Sequence, residues 1–458
     1  MKSHDSNKID DSLFERKIDL ATTKLQRQFY RRMINLPSKS NALAIADFIL
    51  AMKTEANLSD NHRANYVMVL SSLSSSDGSN NRIFLEMNRQ DILTFLNNCR
   101  KPDNEDRLHK WIGTYNVYRS LLLHFFRWLY YPDVEPGKRP KPTVMENIPQ
   151  LKRKEQSSYK PTDIWSLQDN IIFLKYCPSK RDRCYHTMAY DLSSRPHELL
   201  DLRIKDILFK ITNDGKQYAE VLVNGKTGSR PLPLINSIPY VKDWLESHPQ
   251  RGNPNAPVIC GIGKSLGRRI QTPAINKIYS GYKTKIFPKI LTSPNIAIED
   301  KQKIEELLKK PWNPYIIRHS ALTQKSAMLK EHTLRQHAGW SKTSQMHLKY
   351  IHYFGNESNE SILEAYGIVT KDKKLSDALK PKQCPNCNEA NKPDSKFCFK
   401  CRMVLTYDAY NETVEETQDK DREVQSLKEQ MRLMQESQTE ILTLLKDPTK
   451  LTAALNEK

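Results

Sequence analysis

Four short stretches of this chain carry cations and aromatic hydroxyls at spacings suited to gripping a phosphate. Arg195 lies in DLSSRPHELLDLRIKDI, where Ser193 or Ser194 reads as the cap of a helix running from Pro196. So placed, a planar guanidinium makes two parallel hydrogen bonds to phosphate oxygens; the alternative is an ion pair with Glu198. Lys226 stands at the tip of VLVNGKTGSRPLPL, where a glycine-flanked hairpin turn either pushes an amine into a groove or leaves it in water. In PYIIRHSALTQ, Tyr315 and Arg318 fall three apart and share one helix face, unless Arg318 and His319 serve only in salt bridging. In HAGWSKTSQMHLKYIHY, Trp340 precedes Tyr350 by ten residues and His352 follows two later. Taken alone, such a tyrosine is core or surface filler.

Three other motifs fail. GIGKSLG contains Gly263-Lys264-Ser265, but a phosphate-binding P-loop needs a glycine at position 258, which is Val258. Gly225-Lys226-Thr227 fails likewise, with Glu220 in that place. HELLD at 197–201 begins like a zinc-protease helix, yet Asp201 stands where the second histidine must grip the metal. Nucleotide triphosphatase and metalloprotease chemistries are thereby set aside.

In order and spacing the four stretches together resemble the tyrosine site-specific recombinases, the phage-integrase and Xer-like family, over about 161–355. On that resemblance Arg195 corresponds to the first arginine and Lys226 to the hairpin lysine. Tyr315-x-x-Arg318 is similar to the His-x-x-Arg box, Trp340 to the His-or-Trp position, and Tyr350 to the nucleophile. Two departures stand out: position 315 lacks the imidazole, so the help expected from it is a hydrogen bond to the phosphate, and His337 lies three residues too early to take the place of Trp340. The resemblance implies a DNA strand transferase, a site-specific recombinase or integrase that cleaves and rejoins duplex DNA through a covalent 3′-phosphotyrosyl intermediate. Arg195 and Arg318 would neutralise the charge developing on the phosphate, and Lys226 would protonate the leaving deoxyribose oxygen. Neither a catalytic metal nor ATP is then expected. The family's tetramers on DNA imply a homo-tetramer here. Two alternatives remain: an inactive DNA-binding regulator or architectural protein on the same scaffold, and a type IB topoisomerase.

The elements that must hold these residues emerge from charge and periodicity. Across 458 residues, 72 Lys+Arg against 53 Asp+Glu give a net charge of +19, which favours a polyanionic partner. No apolar run suits a membrane span or signal peptide, so the expected location is cytoplasmic, on the nucleoid. Apolar residues recurring three to four apart predict a helical core-binding block over 15–135. The stretch 136–160, proline-bearing and rich in Lys and Arg, reads as a linker along an anionic partner. Block 161–370 mixes helices with a hairpin near 207–234, so the fold class is α+β, mostly helical. Residues 247–298 hold eight Lys/Arg and no acid, interleaved with Tyr279, Tyr282 and Phe287, and read as a DNA-backbone contact or a solvated loop.

Two additions follow. CPNCNEANKPDSKFCFKC sets Cys384, Cys387, Cys398 and Cys401 as two C-x-x-C knuckles ten residues apart, the pattern of a structural zinc ribbon over 381–404. Lys382, Lys392, Lys396, Lys400 and Arg402 lean toward a DNA contact for it, a protein contact or a purely structural role being the alternatives. From Val424, the residues Leu427, Met431, Met434, Gln438, Ile441 and Leu445 alternate three and four apart, so 413–446 reads as a coiled-coil helix or one folded back on its own domain. Accessory proteins would dock on the ribbon or this helix. Every member of the phosphate-gripping constellation precedes both additions, which makes them separable by sequence.

Overall fold

The computed structural model describes residues 11–75, 82–153, 159–225, 228–352, 366 and 378–446. The chain is mostly helical α+β and divides into two compact units, Met1–Ser158 and Tyr159–Lys458. The first unit contains α1 (Asp11–Thr22), α2 (Arg27–Ile34), α3 (Lys39–Glu55), α4 (Asp60–Ser74), α5 (Arg89–Asn97) and α6 (Trp111–Tyr130). Polar caps set the helix starts: Ser38 accepts from the Asn41 N–H before α3, and Asn88 and Asp91 cap one another's backbone at α5. Phe48 fills the centre, meeting Tyr66, Phe125 and Trp128 edge-on with centroids 4.9, 5.3 and 5.4 Å apart.

The basic stretch after α6 departs from a free linker. Val144, Met145 and Ile148 are buried in the first unit's core, and buried Arg139 pairs with Glu55 at 3.0 Å. Three apolar side chains within five residues suffice to anchor the segment despite its charge and prolines.

The second unit opens with α7 (Leu167–Tyr176), whose start is closed by a reciprocal Ser166–Asp169 box. Helix α8 (Lys180–Leu192) ends at Ser193, in the left-handed region at φ 46°, and α9 (Pro196–Leu200) follows with Pro196 in its first turn. Neither Ser193 nor Ser194 caps α9. Arg195 itself occupies the cap position, and the Glu198 carboxylate accepts its backbone N–H at 3.0 Å. An antiparallel sheet in the order β1 (Ile207–Ile211), β2 (Gln217–Gly225), β3 (Gly228–Leu234) comes next. Gly225 pairs with Gly228, so two residues separate the strands at that end. Ala219, Val221 and Val223 alternate inward on β2, as do Arg230, Leu232 and Leu234 on β3.

Beyond α10 (Ile238–Glu246) lie α11 (Thr272–Gly281), a single π turn (Tyr282–Ile286), α12 (Phe287–Leu291) and α13 (Ile298–Lys309). The three aromatics of 247–298 are core residues. Tyr279 and Phe287 stack on Phe173 with centroids 5.8 and 5.9 Å away, and Tyr282 donates to Asp182 at 2.7 Å. Their spacing puts them on the buried helix face, while Lys277, Lys285 and Lys289 are exposed. Then come α14 (Pro314–Ser326), capped by Asn313, α15 (Glu331–Ala338), closed by left-handed Gly339, and α16 (Met346–His352).

The cysteine-rich segment forms a small hairpin, β4 (Lys382–Gln383) and β5 (Ala390–Asn391), followed by the 40-residue α17 (Tyr407–Lys446). The hairpin does not stand apart. Glu389 pairs with Lys242, Lys392 with Asp243, and the Gln217 amide donates to the Asn388 carbonyl at 3.1 Å. Leu379 is buried in the same core as α7 and α8. Along α17, Val424, Leu427, Met431, Met434 and Ile441 are exposed.

Candidate active site

Glu198 is the pivot of the site. Its side chain is fully buried, and its two oxygens collect three donors: the Arg195 backbone N–H, the Arg195 guanidinium at 2.8 Å and the Arg230 guanidinium at 2.8 Å. Burial pushes its carboxyl upward, but the Arg230 and Arg195 donors outweigh that and hold it below the ordinary value. The ion pair between Arg195 and Glu198 is therefore present. It also fixes the guanidinium, which stays 27% exposed and so keeps a face open to a ligand.

Arg318 arrives from α14 and is buried. It donates to the Ser193 carbonyl and, at 2.8 Å, to the Ala338 carbonyl, tying the α8–α9 break to the end of α15. Burial, and then the neighbouring Arg195 charge, lower its pKa to about 10, so it remains a cation at neutral pH. Arg230 fills the space between these elements. Its Nε donates to the His337 carbonyl at 3.0 Å, and its Nη1 is buried with no hydrogen-bond partner among the described residues. The glycines around it leave it room: a Cβ at Gly225 would stand 2.6 Å from Glu198 Oε1, and one at Gly339, which has a left-handed φ of 65°, would stand 2.5 Å from Arg230 Nη1. The end of the β2–β3 hairpin thus abuts the arginine cluster.

Tyr350, on α16, is buried at 4% exposure. Its hydroxyl is hydrogen-bonded to His319 Nδ1 at 2.9 Å. Two rings neighbour the phenol, Trp340 at 5.3 Å and His319 at 5.7 Å between centroids, both near parallel to it. Trp340 accordingly meets Tyr350 through ring packing. His337 is held near 3 by burial and the adjacent Lys325, Arg230 and Arg318 charges, which keeps its imidazole neutral. Lys325, lowered by burial to about 8, donates to the Tyr190 carbonyl at 2.7 Å and Ser193 Oγ at 3.1 Å, bracing the turn before Arg195.

Of the residues singled out in sequence, Arg195, Arg318, Trp340 and Tyr350 share this cluster. Tyr315 is 41% exposed on α14 and has no hydrogen bond among the described residues. Lys226 lies outside the described residues. The reading missed Arg230 and undervalued Glu198 and His319. Arg230 had a signal: in GSRPLPL it falls in register with Leu232 and Leu234, the inward parity of a strand, where a charge needs a buried partner.

The four clustered cysteines converge, their sulfurs all within 4.8 Å of one another. Cys384 and Cys401 are 3.5 Å apart and Cys387 and Cys398 3.6 Å, close to the edge of a tetrahedron about 2.3 Å from its centre. The Met403 backbone N–H is the chief cause holding Cys401 down to about 6. At Cys387 the Glu389 N–H pulls downward, but burial and the three other thiols push it to about 12. Such crowding of sulfurs fits a cation such as zinc.

No protein-family model matches the chain, and no curated protein matches it. Among solved structures it is similar to the XerH site-specific recombinase bound to palindromic difH substrate, at 15% identity over 77% of this chain and 95% of that one, with a TM-score of 0.48. A lambda integrase dimer bound to a COC′ core site gives 10% identity, 68% and 95% coverage and a TM-score of 0.44. The Tn1549 transposon integrase with transposon right-end DNA gives 12%, 71% and 99%, also at 0.44.

Proposed function

We propose that the chain is a tyrosine recombinase, a DNA strand transferase in which Tyr350 attacks a backbone phosphate and forms a 3′-phosphotyrosyl bond. The observation that carries this reading is a buried, hydrogen-bonded phenol within electrostatic reach of the fixed Arg318, which itself neighbours the fixed Arg195. Arg195 and Arg318 oppose the charge that grows on the phosphate oxygens, and because Glu198 and two carbonyls already hold them in place, little reorganisation accompanies the reaction. Lys226, the residue that follows Gly225 in the sequence, is assigned the proton for the departing 5′ oxygen. Trp340 holds the tyrosine ring, and Tyr315 offers at most a hydrogen bond to the phosphate.

The energy of the broken diester is retained in the phosphotyrosyl bond, so a second strand's hydroxyl reverses the step without ATP, and the two arginines take the part of a catalytic metal. Double-stranded DNA is the substrate and a homo-tetramer the working assembly, with a location on the nucleoid. Cys384, Cys387, Cys398 and Cys401 would hold a structural zinc ion.

A duplex nicked near the cleavage point, which traps the adduct by loss of a short strand, tests the reading. Covalent protein–DNA adduct is expected from the unsubstituted chain and none from Tyr350→Phe, with DNA affinity retained. Adduct surviving in Tyr350→Phe would move the nucleophile elsewhere, Tyr353 being next in line.

A further inference from the structure

We infer that His319 is the general base that activates Tyr350, an assignment resting on the strand-transfer reading above. The two residues lie 31 apart in sequence, yet Tyr350 Oη and His319 Nδ1 are 2.9 Å apart, the distance over which a proton passes. Their rings lie at 23° with centroids 5.7 Å apart, so the imidazole stays aligned with the hydroxyl. With Nε2 carrying the imidazole proton, Nδ1 accepts from the phenol.

Helix geometry explains how a histidine at 319 serves where the resemblance leads one to look at 315. Positions 315 and 319 stand one turn apart on the same face of α14, about 6 Å along its axis. Position 315 carries a phenol, which is no base at neutral pH, and it is exposed, whereas 319 meets the nucleophile. Among the described residues the imidazole meets Tyr350 from α16 and Tyr159, with its ring centroid 5.0 Å away, and Arg318 adjoins on the same helix.

The step balances. The Tyr350 proton moves to His319 Nδ1, the phenolate oxygen forms a bond to phosphorus, and the bond from phosphorus to the 5′ oxygen breaks. That oxygen takes a proton from the Lys226 ammonium, leaving His319 as imidazolium and Lys226 as amine.

Single-turnover cleavage of the nicked duplex by the full chain, followed against pH, tests the assignment. In the unsubstituted protein the rate should rise through the imidazole range and level off. His319→Gln should cleave about a hundredfold more slowly or worse, lose that limb and bind DNA within a few-fold of normal. A substrate with sulfur in place of the bridging 5′ oxygen needs no acid, so it should restore Lys226→Ala and leave His319→Gln slow. Fluorinated tyrosine at position 350, a stronger acid, should narrow the His319→Gln deficit. Cleavage by His319→Gln within about threefold of normal, or its rescue by the sulfur substrate, overturns the assignment. If His319→Gln folds poorly, the unsubstituted protein's own profile decides, and the lack of any limb in the imidazole range rejects the base. Absence of adduct from the unsubstituted chain rejects strand transfer itself, whereas adduct formation with undiminished His319→Gln rejects only the base.

Discussion

Arg230→Met measures how much of the site's order depends on one side chain. The substitution keeps an apolar stem of similar length and deletes the guanidinium. Two contacts go with it, the 2.8 Å pair to Glu198 Oε2 and the 3.0 Å hydrogen bond to the His337 carbonyl. Stripping one partner from a buried charge costs about 3–5 kcal/mol, and leaving a buried carbonyl unpaired adds about 1 kcal/mol. Arg195 still holds Glu198 Oε1 and is itself 27% exposed, so the low end of that range, about 3 kcal/mol, is expected. Urea unfolding of the full chain reads it directly. Glu198→Gln in the Arg230→Met background removes the stranded charge, so the double variant should recover roughly 2 kcal/mol relative to additivity. The pH dependence follows in sign. Glu198 sits below its ordinary 4.5 in the native chain, so its contribution is present above that pH and is lost as pH falls through the lower folded value. Without Arg230 burial wins, the carboxyl rises, and Arg230→Met should lose stability nearer neutrality. A loss under about 1 kcal/mol, or strict additivity with Glu198→Gln, would refute this reasoning.

Arg195→Ala or Arg318→Ala should lower single-turnover cleavage by orders of magnitude with only modest loss in a DNA-binding titration, because the contact strengthens as charge develops on phosphate. Cleavage should proceed in EDTA without magnesium, and an absolute magnesium requirement would point to a nuclease instead. Elemental analysis should find one zinc per chain, and Cys398→Ser should release it and raise hydrogen exchange across 381–404. His186 and His337 are each held near 3 by burial, against an ordinary 6.5. The unfolded chain therefore binds more protons between those values, and stability should fall as pH drops from 6.5 toward 3, by on the order of 4 kcal/mol per histidine at most. His186→Gln should flatten the decline seen in pH-dependent urea titrations.

What could be read in advance follows how local each cause is. Helix periodicity and the strand–turn–strand of VLVNGKTGSRPLPL rest on neighbours within a few residues, and the structure has the helices and the two strands they imply. The four-cysteine convergence was also local, since each C-x-x-C turn aims its own two sulfurs. The Arg195–Glu198 pair was visible as an alternative because it spans three residues. What stayed hidden depends on contacts made across the chain. The Tyr350–His319 bond joins residues 31 apart, the Arg230–Glu198 pair joins residues 32 apart, and the burial of Tyr279, Tyr282 and Phe287 depends on Phe173. Composition misled in the same way at 139–148, where charge and proline masked three apolar anchors.

The cysteine-rich hairpin shows the same effect acting on function. Five basic residues suggested a surface for DNA, but Lys392 is paired with Asp243 and Lys396 with Glu412, so two of the five charges are already neutralised within the protein. Asp243 also takes Lys180 at 2.7 Å, and Lys242 bridges Glu389 and Gln217, so the hairpin is tied to α8, α10 and the start of β2. Gly225 stands at the far end of that strand, against Glu198 and Arg230. Cutting the chain after residue 375 would spare every proposed catalytic residue. It would also remove Leu379 from the core and leave the half-buried Lys242 and buried Asp243 with fewer partners. The cysteine-rich hairpin is thus separable by position in the sequence but not by contact, and its most direct physical effect is to brace one end of the strand whose other end borders the arginine cluster.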